Sequence, residues 1–587
     1  MKIPKPDSRI RLRSVYKAYR YDQDKTRSPE DTIAWVKERF RLSGFDILAQ
    51  TLRIDTGRLG IPVYISRCGT DAMTIIGTRK QMGKGATPAQ SEASALMELA
   101  ERFSFFSYIK EHPRIEATWK EIADDAISVK HFLMSIHDDV TDEDLARAFL
   151  ETVPLRWVPA LNVAENRSQW VPLDWFYLIN EYNGPAAGNT IEEAIIQSLC
   201  EVVERHVGTV ISFGELPTPL IDPETVQSEA GKELLRKYRA QNIKLFLRDF
   251  SMDTGIPSVG VLAYDPATFP KRSEIVFTVG TTTHPETSLC RALTEVAQLA
   301  GDFQNRTSYK PTFPKYQSLD EASYLTTSNG VPVVSLSSLP SVAHDDLLIE
   351  ITRAAEVLKK RKGWDIFVVN ITHPILGVPA VYSIIPGAHF LDRATGTDFP
   401  QHMARTLLLG LDPQEASNYI RYLIRVFGRR YDLLFFCGYA EAQLGAFKDA
   451  LELYEQALVE APSPSAEKAS IMINMASCWK DLGDYNQALR CLESVEQEAY
   501  ILKEFHHLKG VCYYHLGLFE KAIECFERAI EIDPGSAIDY ANIASSLRKL
   551  GHEKEAVALY QMSLEMDPSL EFARKALKEL SEHCYWD

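Results

Sequence analysis

The sequence predicts two kinds of fold in one chain: a mixed α/β domain over residues 1–400, then an all-α solenoid of repeated helical hairpins over 430–587, joined by a helical connector at 401–429. Three observations carry this. Glycines recur at spacings of 38, 34 and 34 residues in the last third. Short β-branched or aromatic runs alternate with helical stretches before residue 400. One polar pattern occurs twice on those helical stretches, offset by 103 residues.

In the first part the strand candidates are IPVYISRCG (61–69), SEIVFTVGT (273–281), WDIFVVNIT (364–372) and VPAVYSIIP (378–386). The helical candidates include residues 88–110 and 191–210, with 401–429 as the connector. In the last third, Gly445, Gly483, Gly517 and Gly551 are each followed five residues later by an alanine: Ala450, Ala488, Ala522 and Ala556. Pro462, Pro534 and Pro568 stand seventeen residues after three of these glycines. Small residues let two helices approach closely, and the proline ends the second one. Leu516, Gly517, Ala522, Phe526, Ala529 and Pro534 fill every slot of one copy. The unit resembles the tetratricopeptide repeat, in about four copies between 430 and 580. A generic helical bundle is the alternative.

Composition excludes several classes. Hydrophobic residues at 45% and charged residues at 25% are those of a globular protein, not of a disordered or fibrous chain. With 64 Lys+Arg against 80 Asp+Glu the net charge is −16, which argues against a nucleic-acid platform. The nine cysteines, Cys584 included, hold no C-x-x-C pair and read as reduced, buried thiols of a cytoplasmic protein. The N-terminus lacks the apolar stretch of a signal peptide. The long uncharged run from Ile366 to Leu391 is interrupted by Pro374, Pro379 and Pro386, so it is not expected to span a membrane.

The doubled pattern is G-x-T-x6-[S/Q]-x3-E-x2-E-R. It comprises Ser94, Glu98, Glu101 and Arg102 after Gly85 and Thr87, then Gln197, Glu201, Glu204 and Arg205 after Gly188 and Thr190. Positions 0, 4, 7 and 8 share one helical face, so each helix offers a polar group, two carboxylates and an arginine together. A third helix offers Arg291, Glu295 and Gln298. Ala95, Leu96, Leu99, Leu199, Val202 and Val203 are the residues expected to bury the other side. A solvated, salt-bridged face is the alternative for a single copy. Two copies point to hard cations held by carboxylate oxygens, with arginines for a nucleotide's phosphates and Gly-x-Thr turns offering backbone N–H groups. The residues thus suggest a phosphoryl-transfer site using two Mg²⁺.

At these residues the chain resembles the YcaO-domain family. Ser94-x3-Glu98, Gln197-x2-Cys200-Glu201-x2-Glu204-Arg205 and Arg291-x6-Gln298 are similar to its three nucleotide-binding signatures, over roughly residues 15–395. GIPVYISR, GKGATP, AAGNTIEEAI and LGVPAVYSIIPG stand in the family's order. The resemblance implies ATP binding without a Walker motif, and no such motif is present. It implies Glu98, Glu101, Glu193, Glu201 and Glu204 as Mg²⁺ ligands. Ser94, Arg102, Gln197, Arg205, Arg291 and Gln298 would contact ATP, and Lys25 and Thr32 match the family's N-terminal spacing. For Lys25 a solvated surface lysine is the alternative, and Cys200 reads as a packed thiol.

The activity implied is Mg-ATP-dependent phosphorylation of a backbone amide oxygen in a peptide or protein substrate, which turns a poor leaving group into a good one. The chain ends SEHCYWD without a proline-rich tail. The expectation is therefore a sulfur-type modification, thioamidation or support of ribosomal protein methylthiolation. An azoline-forming cyclodehydratase and an ATP-responsive adaptor are the alternatives. The repeats would bind a protein partner; no nucleic acid or membrane is expected, and a homodimer is left open.

Overall fold

Strands and helices form where the β-branched runs and helical stretches stand in the sequence. The computed structural model describes residues 3–304, 312–328, 330–390, 396–462 and 466–583; Cys584 and the rest of the terminal CYWD lie outside them. The chain divides into two units, Met1–Phe399 and Pro400–Asp587. The stretch expected as a connector belongs with the second unit, as two helices, Phe399–Gly410 and Pro413–Phe427. Among the described residues no helix is long and apolar enough to cross a membrane.

Among the described residues the first unit holds three sheets. An antiparallel one pairs Leu48–Arg53, Val63–Cys68 and Lys80–Lys84. A second runs Val276–Thr281, Ser258–Tyr264, Lys244–Asp249, Leu220–Asp222 and Val333–Ser335, parallel only at its last pair. A third, antiparallel sheet orders Ile115–Thr118, Pro154–Asn162, Phe367–Asn370, Ala380–Ile384 and Pro185–Ala187, with Arg167–Pro172 along the second of these.

Each sheet sends one strand into one site helix: Lys80–Lys84 into Pro88–Glu111, Pro185–Ala187 into Ile191–Phe213, and Val276–Thr281 into Pro285–Ala300. Each junction depends on a glycine pressed against its own helix. A Cβ on Gly83 would overlap Ala95 N and Ser91 O, one on Gly188 would overlap Ala194 N, and one on Gly280 would overlap Ser288 O and Ala292 N. The helices start on side-chain caps. Thr87 accepts from Gln90 N, Thr190 from Glu193 N and His284 from Glu286 N. The opposite faces hold Ala95, Leu96, Leu99, Leu199, Val202 and Val203, all fully buried as their spacing predicts.

Ahead of these elements, residues 8–27 form an irregular strap without helix or strand. It is tied down by distant buried carboxylates. Arg13 N donates to Glu192, Val15 N to Asp346, Lys17 Nζ to Glu350, and Thr26 N to Glu193.

In the second unit the glycine–alanine pattern has a direct cause. Gly445, Gly483, Gly517 and Gly551 adopt φ between +75° and +87°, the left-handed turn that ends a first helix. Ala450, Ala488, Ala522 and Ala556 are fully buried where the second helix crosses the first. Four hairpins follow, Tyr431–Gln443/Phe447–Glu460, Ala466–Asp481/Tyr485–Glu493, Lys503–His515/Phe519–Ile532 and Ala537–Lys549/Glu553–Met566, closed by Glu571–His583.

Gly83→Ala should destabilise the first unit by about 1–3 kcal/mol, because backbone meets backbone and neither side can yield. Chemical denaturation followed by tryptophan fluorescence reads this. An unchanged midpoint would mean that strand and helix can part without cost.

Candidate functional site

The three site helices and the strap enclose one cavity of about 290 Å³. From the first helix, Ser94, Glu98, Glu101 and Arg102 line it; from the second, Glu193, Gln197, Glu201 and Arg205. Arg291, Glu295 and Gln298 line it from the third; the strap adds Lys25, and the helix Pro29–Ser43 that follows the strap adds Thr32. Thirteen of the fourteen residues singled out from the sequence therefore converge on one space.

Glu204 is the exception. It is fully buried and absent from the cavity wall. Its Oε2 accepts from Arg291 Nε at 2.8 Å and from Thr281 N at 3.0 Å. Glu101 stands at the same position of the first motif and does line the cavity, so the difference comes from the partners of Glu204, Thr281 N and Arg291, and not from helical spacing. The Gly-x-Thr turns also differ from expectation. Thr87 and Thr190 cap the helix N–H groups themselves, and Ala86 N is taken by Asp22 at 2.6 Å. The glycines serve close packing, not phosphate.

Two arginines repeat one another. Arg102 lies 3.4 Å from Glu101 and 3.8 Å from Glu98, and Arg205 lies 3.7 Å from Glu201 and 3.8 Å from Glu204. Arg102 also donates to Tyr182 O at 2.7 Å, but Arg205 Nε and Nη1 are buried without any hydrogen-bond partner, as is Glu204 Oε1. A guanidinium short of acceptors at such a cavity suits an anion with several oxygens.

The carboxylates divide into satisfied and unsatisfied. Burial alone would lift the Glu193 carboxyl. Lys25 at 3.6 Å and donors from Thr26 and Asn189 outweigh it, so its pKa falls. Glu295 behaves likewise through Lys84, Arg205 and Arg291. Glu98 and Glu101 go the other way. Burial raises both, Arg102 offsets only part of it, and the nearby Glu201 charge adds to the rise; Glu101 stands well above the usual range. Further positive charge beside Glu98 and Glu101 would favour their ionised forms.

Among the described residues no three His, Cys, Asp or Glu side chains form a ready cage for a metal ion. Mg²⁺ does not require one, since it keeps waters and binds through one or two carboxylates plus substrate phosphates. The donor set, oxygen-only and under-charged, fits Mg²⁺ held between Glu98, Glu101 and Glu201 and a bound polyphosphate. Cys200 is buried with its thiol pushed up to about 12, a packing residue.

Lys84 and Asn189 belong to the wall although the sequence did not single them out. Lys84 pairs with Glu295. Asn189 links Thr32 Oγ1 to Glu193 at 3.1 Å on each side.

The family model described as "YcaO cyclodehydratase, ATP-ad Mg2+-binding" matches residues 82–389. Tetratricopeptide-repeat models match 403–466, 504–536 and 540–570, the first beginning within the expected connector. An "Uncharacterized protein" of Methanothermobacter thermautotrophicus is 26% identical over 390 residues, 61% of this chain and 93% of that protein. The ribosomal protein S12 methylthiotransferase accessory factor YcaO of Escherichia coli is 27% identical over 207 residues, 32% of this chain and 35% of that one. A solved heterocyclase in complex with substrate and cofactor has the same fold. Its TM-score is 0.51 at 21% identity, covering 65% of this chain and 54% of that chain.

Because the Glu101 pKa is raised on folding, the proton it holds contributes stability below the ordinary carboxylate pKa. That contribution is lost as pH rises through the raised value. The melting temperature of wild type minus that of Glu101→Gln should therefore fall from about pH 5 to about pH 8 without metal. Millimolar Mg²⁺ should reverse the trend, since it competes with that proton. A flat difference with and without Mg²⁺ would remove Glu101 from the cation site.

Proposed function

The chain belongs to the YcaO family, and from that premise we propose that its first unit phosphorylates the oxygen of a backbone amide in a peptide or protein, using ATP. The observation that carries this reading is the meeting of unsatisfied groups in one cavity: Arg205 donors without hydrogen-bond acceptors beside Glu98 and Glu101, which share one loosely placed arginine. Arg205 and Arg291 would neutralise charge on the transferring phosphoryl group. Glu98, Glu101 and Glu201 would hold Mg²⁺, which supplies further positive charge at the phosphates when bound. Glu193, fixed by Thr26 and Asn189, would keep Lys25 turned into the cavity. Glu204 would orient Arg291 from behind.

The outcome we assign is a sulfur-type modification. The similarity to a factor named for ribosomal protein methylthiotransfer supports it. Azoline formation is the second reading, favoured by the word cyclodehydratase in the description of the matching model. The tetratricopeptide repeats of the second unit would dock the protein substrate or its partner. A cytoplasmic location belongs to the same proposal, supported by eight described cysteines that form no disulfide.

Glu201→Gln should abolish Mg-ATP turnover with the fold intact, since it removes charge and little volume. Wild-type turnover would sink the site. Arg291→Ala is a poor test, because it strands the buried Glu204 charge. Arg291→Lys keeps the charge and loses the fork, and should raise the KM for ATP by about tenfold. Unchanged kinetics would confine Arg291 to a structural ion pair.

A chain ending at Phe399 should bind Mg-AMPPCP as the full chain does but fail to retain a protein partner. Calorimetry and pull-down separate the two. Loss of nucleotide binding with the partner kept would reverse the roles of the two units.

A further inference from the structure

Arg205 lines the nucleotide cavity without a direct polar partner. The nearest carboxylate oxygens, on Glu201 and Glu204, lie at 3.7 and 3.8 Å, beyond hydrogen-bonding distance, and its Nε and Nη1 have no acceptor. What lies against the guanidinium is a ring: Arg205 Cζ sits over Phe313, 5.5 Å from the ring centroid. Phe313 is buried, 7% exposed, and follows the cavity-lining Thr312 in the stretch beyond the third site helix.

The second site helix is shaped to admit that ring. Gly208, three residues after Arg205 and so a neighbour on the helix surface, is the one glycine of Ile191–Phe213. A Cβ there would stand 2.2 Å from Phe313 Cε1 and 2.4 Å from Cζ, so any side chain at 208 would displace the ring. Glycine inside a helix costs stability, and the seated ring offsets that cost. The ring also meets Phe277, centroid to centroid 5.6 Å, on the strand that leads into the third site helix. The first copy of the motif has a parallel, since Arg102 Cζ lies 5.7 Å from the Tyr182 ring centroid. Arg102 donates to Tyr182 O as well, a second hold for which Arg205 has no counterpart.

We propose that Phe313 is a positioning residue for the nucleotide: its ring holds the Arg205 guanidinium at the cavity without neutralising it. The inference rests on the ATP-binding reading of that cavity and adds how one of its cations is set in place. A carboxylate at hydrogen-bonding distance would also fix an arginine, but it would offset the charge that phosphates require. The negative face of an aromatic ring attracts a cation within about 6 Å and takes up no N–H group. Arg205 keeps 14% of its side-chain surface exposed, so it is supported by the ring and not enclosed. Phe313 acts through Arg205 alone.

The test replaces Phe313 in the full chain by phenylalanines carrying one, two or three ring fluorines, which drain the negative face with little change of volume. By calorimetry the Kd for Mg-AMPPCP should rise stepwise along the series, reaching about 2- to 30-fold at three fluorines. Chemical denaturation without nucleotide gives an independent reading. Fluorination should lower the midpoint of wild type and leave that of Arg205→Met, which has no charge to hold, almost unmoved. A Kd flat across the series, in a wild type that binds Mg-AMPPCP, would make Phe313 an ordinary packing residue and overturn the proposal. An equal loss of midpoint in both backgrounds would overturn it too, by removing the contact with Arg205. A wild type that binds no Mg-AMPPCP would refute the nucleotide reading of the cavity itself, and the positioning role with it.

Discussion

A carboxylate taken out of water keeps its charge only beside a cation or enough N–H and O–H donors, and the first unit is arranged around that requirement. Its buried acids are sorted by whether the protein meets it. Glu193 receives a lysine, a threonine and an asparagine; Glu204 receives an arginine and a backbone N–H. These are frame. Glu98 and Glu101 receive one loosely placed guanidinium between them. The deficit is local, and it sits where three separately built helices meet.

The same requirement explains why the polar motif could be read from sequence while part of its geometry could not. Spacing on a helix is a local property, so Ser94, Glu98 and Arg102 share a face whatever surrounds them. The direction of Glu204 is decided by Thr281 and Arg291, tens of residues away, and spacing is silent about that. Lys84 and Asn189 sit on a strand end and a turn, where no periodicity marks a side chain as facing inward. The Gly-x-Thr turns misled for a related reason. A glycine needed for a ligand and a glycine needed for a neighbouring backbone are written identically, and Gly85 and Gly188 are of the second kind.

The second unit was legible almost residue by residue, because its contacts are near in sequence. A left-handed glycine and a buried alanine five residues on are enough to define each hairpin. Its copies also depart from one another locally. The second hairpin has a nine-residue second helix followed by the short Glu496–Ala499 turn, at the position where the repeat's proline is replaced by Tyr500.

The strap has a consequence for how the molecule is made. Lys17 closes on Glu350, 333 residues further along, and Thr26 closes on Glu193, 167 residues along. At a synthesis rate of about 5–20 residues per second, the first of these waits roughly 15–65 s for its partner to leave the ribosome. During that interval the segment RIRLRSVYKAYRYDQDKTR has no partner, and its dense basic and polar composition keeps it solvated and non-sticky. The strap is thus translated first, yet its last tie, Lys17 to Glu350, closes only after most of the first unit has emerged.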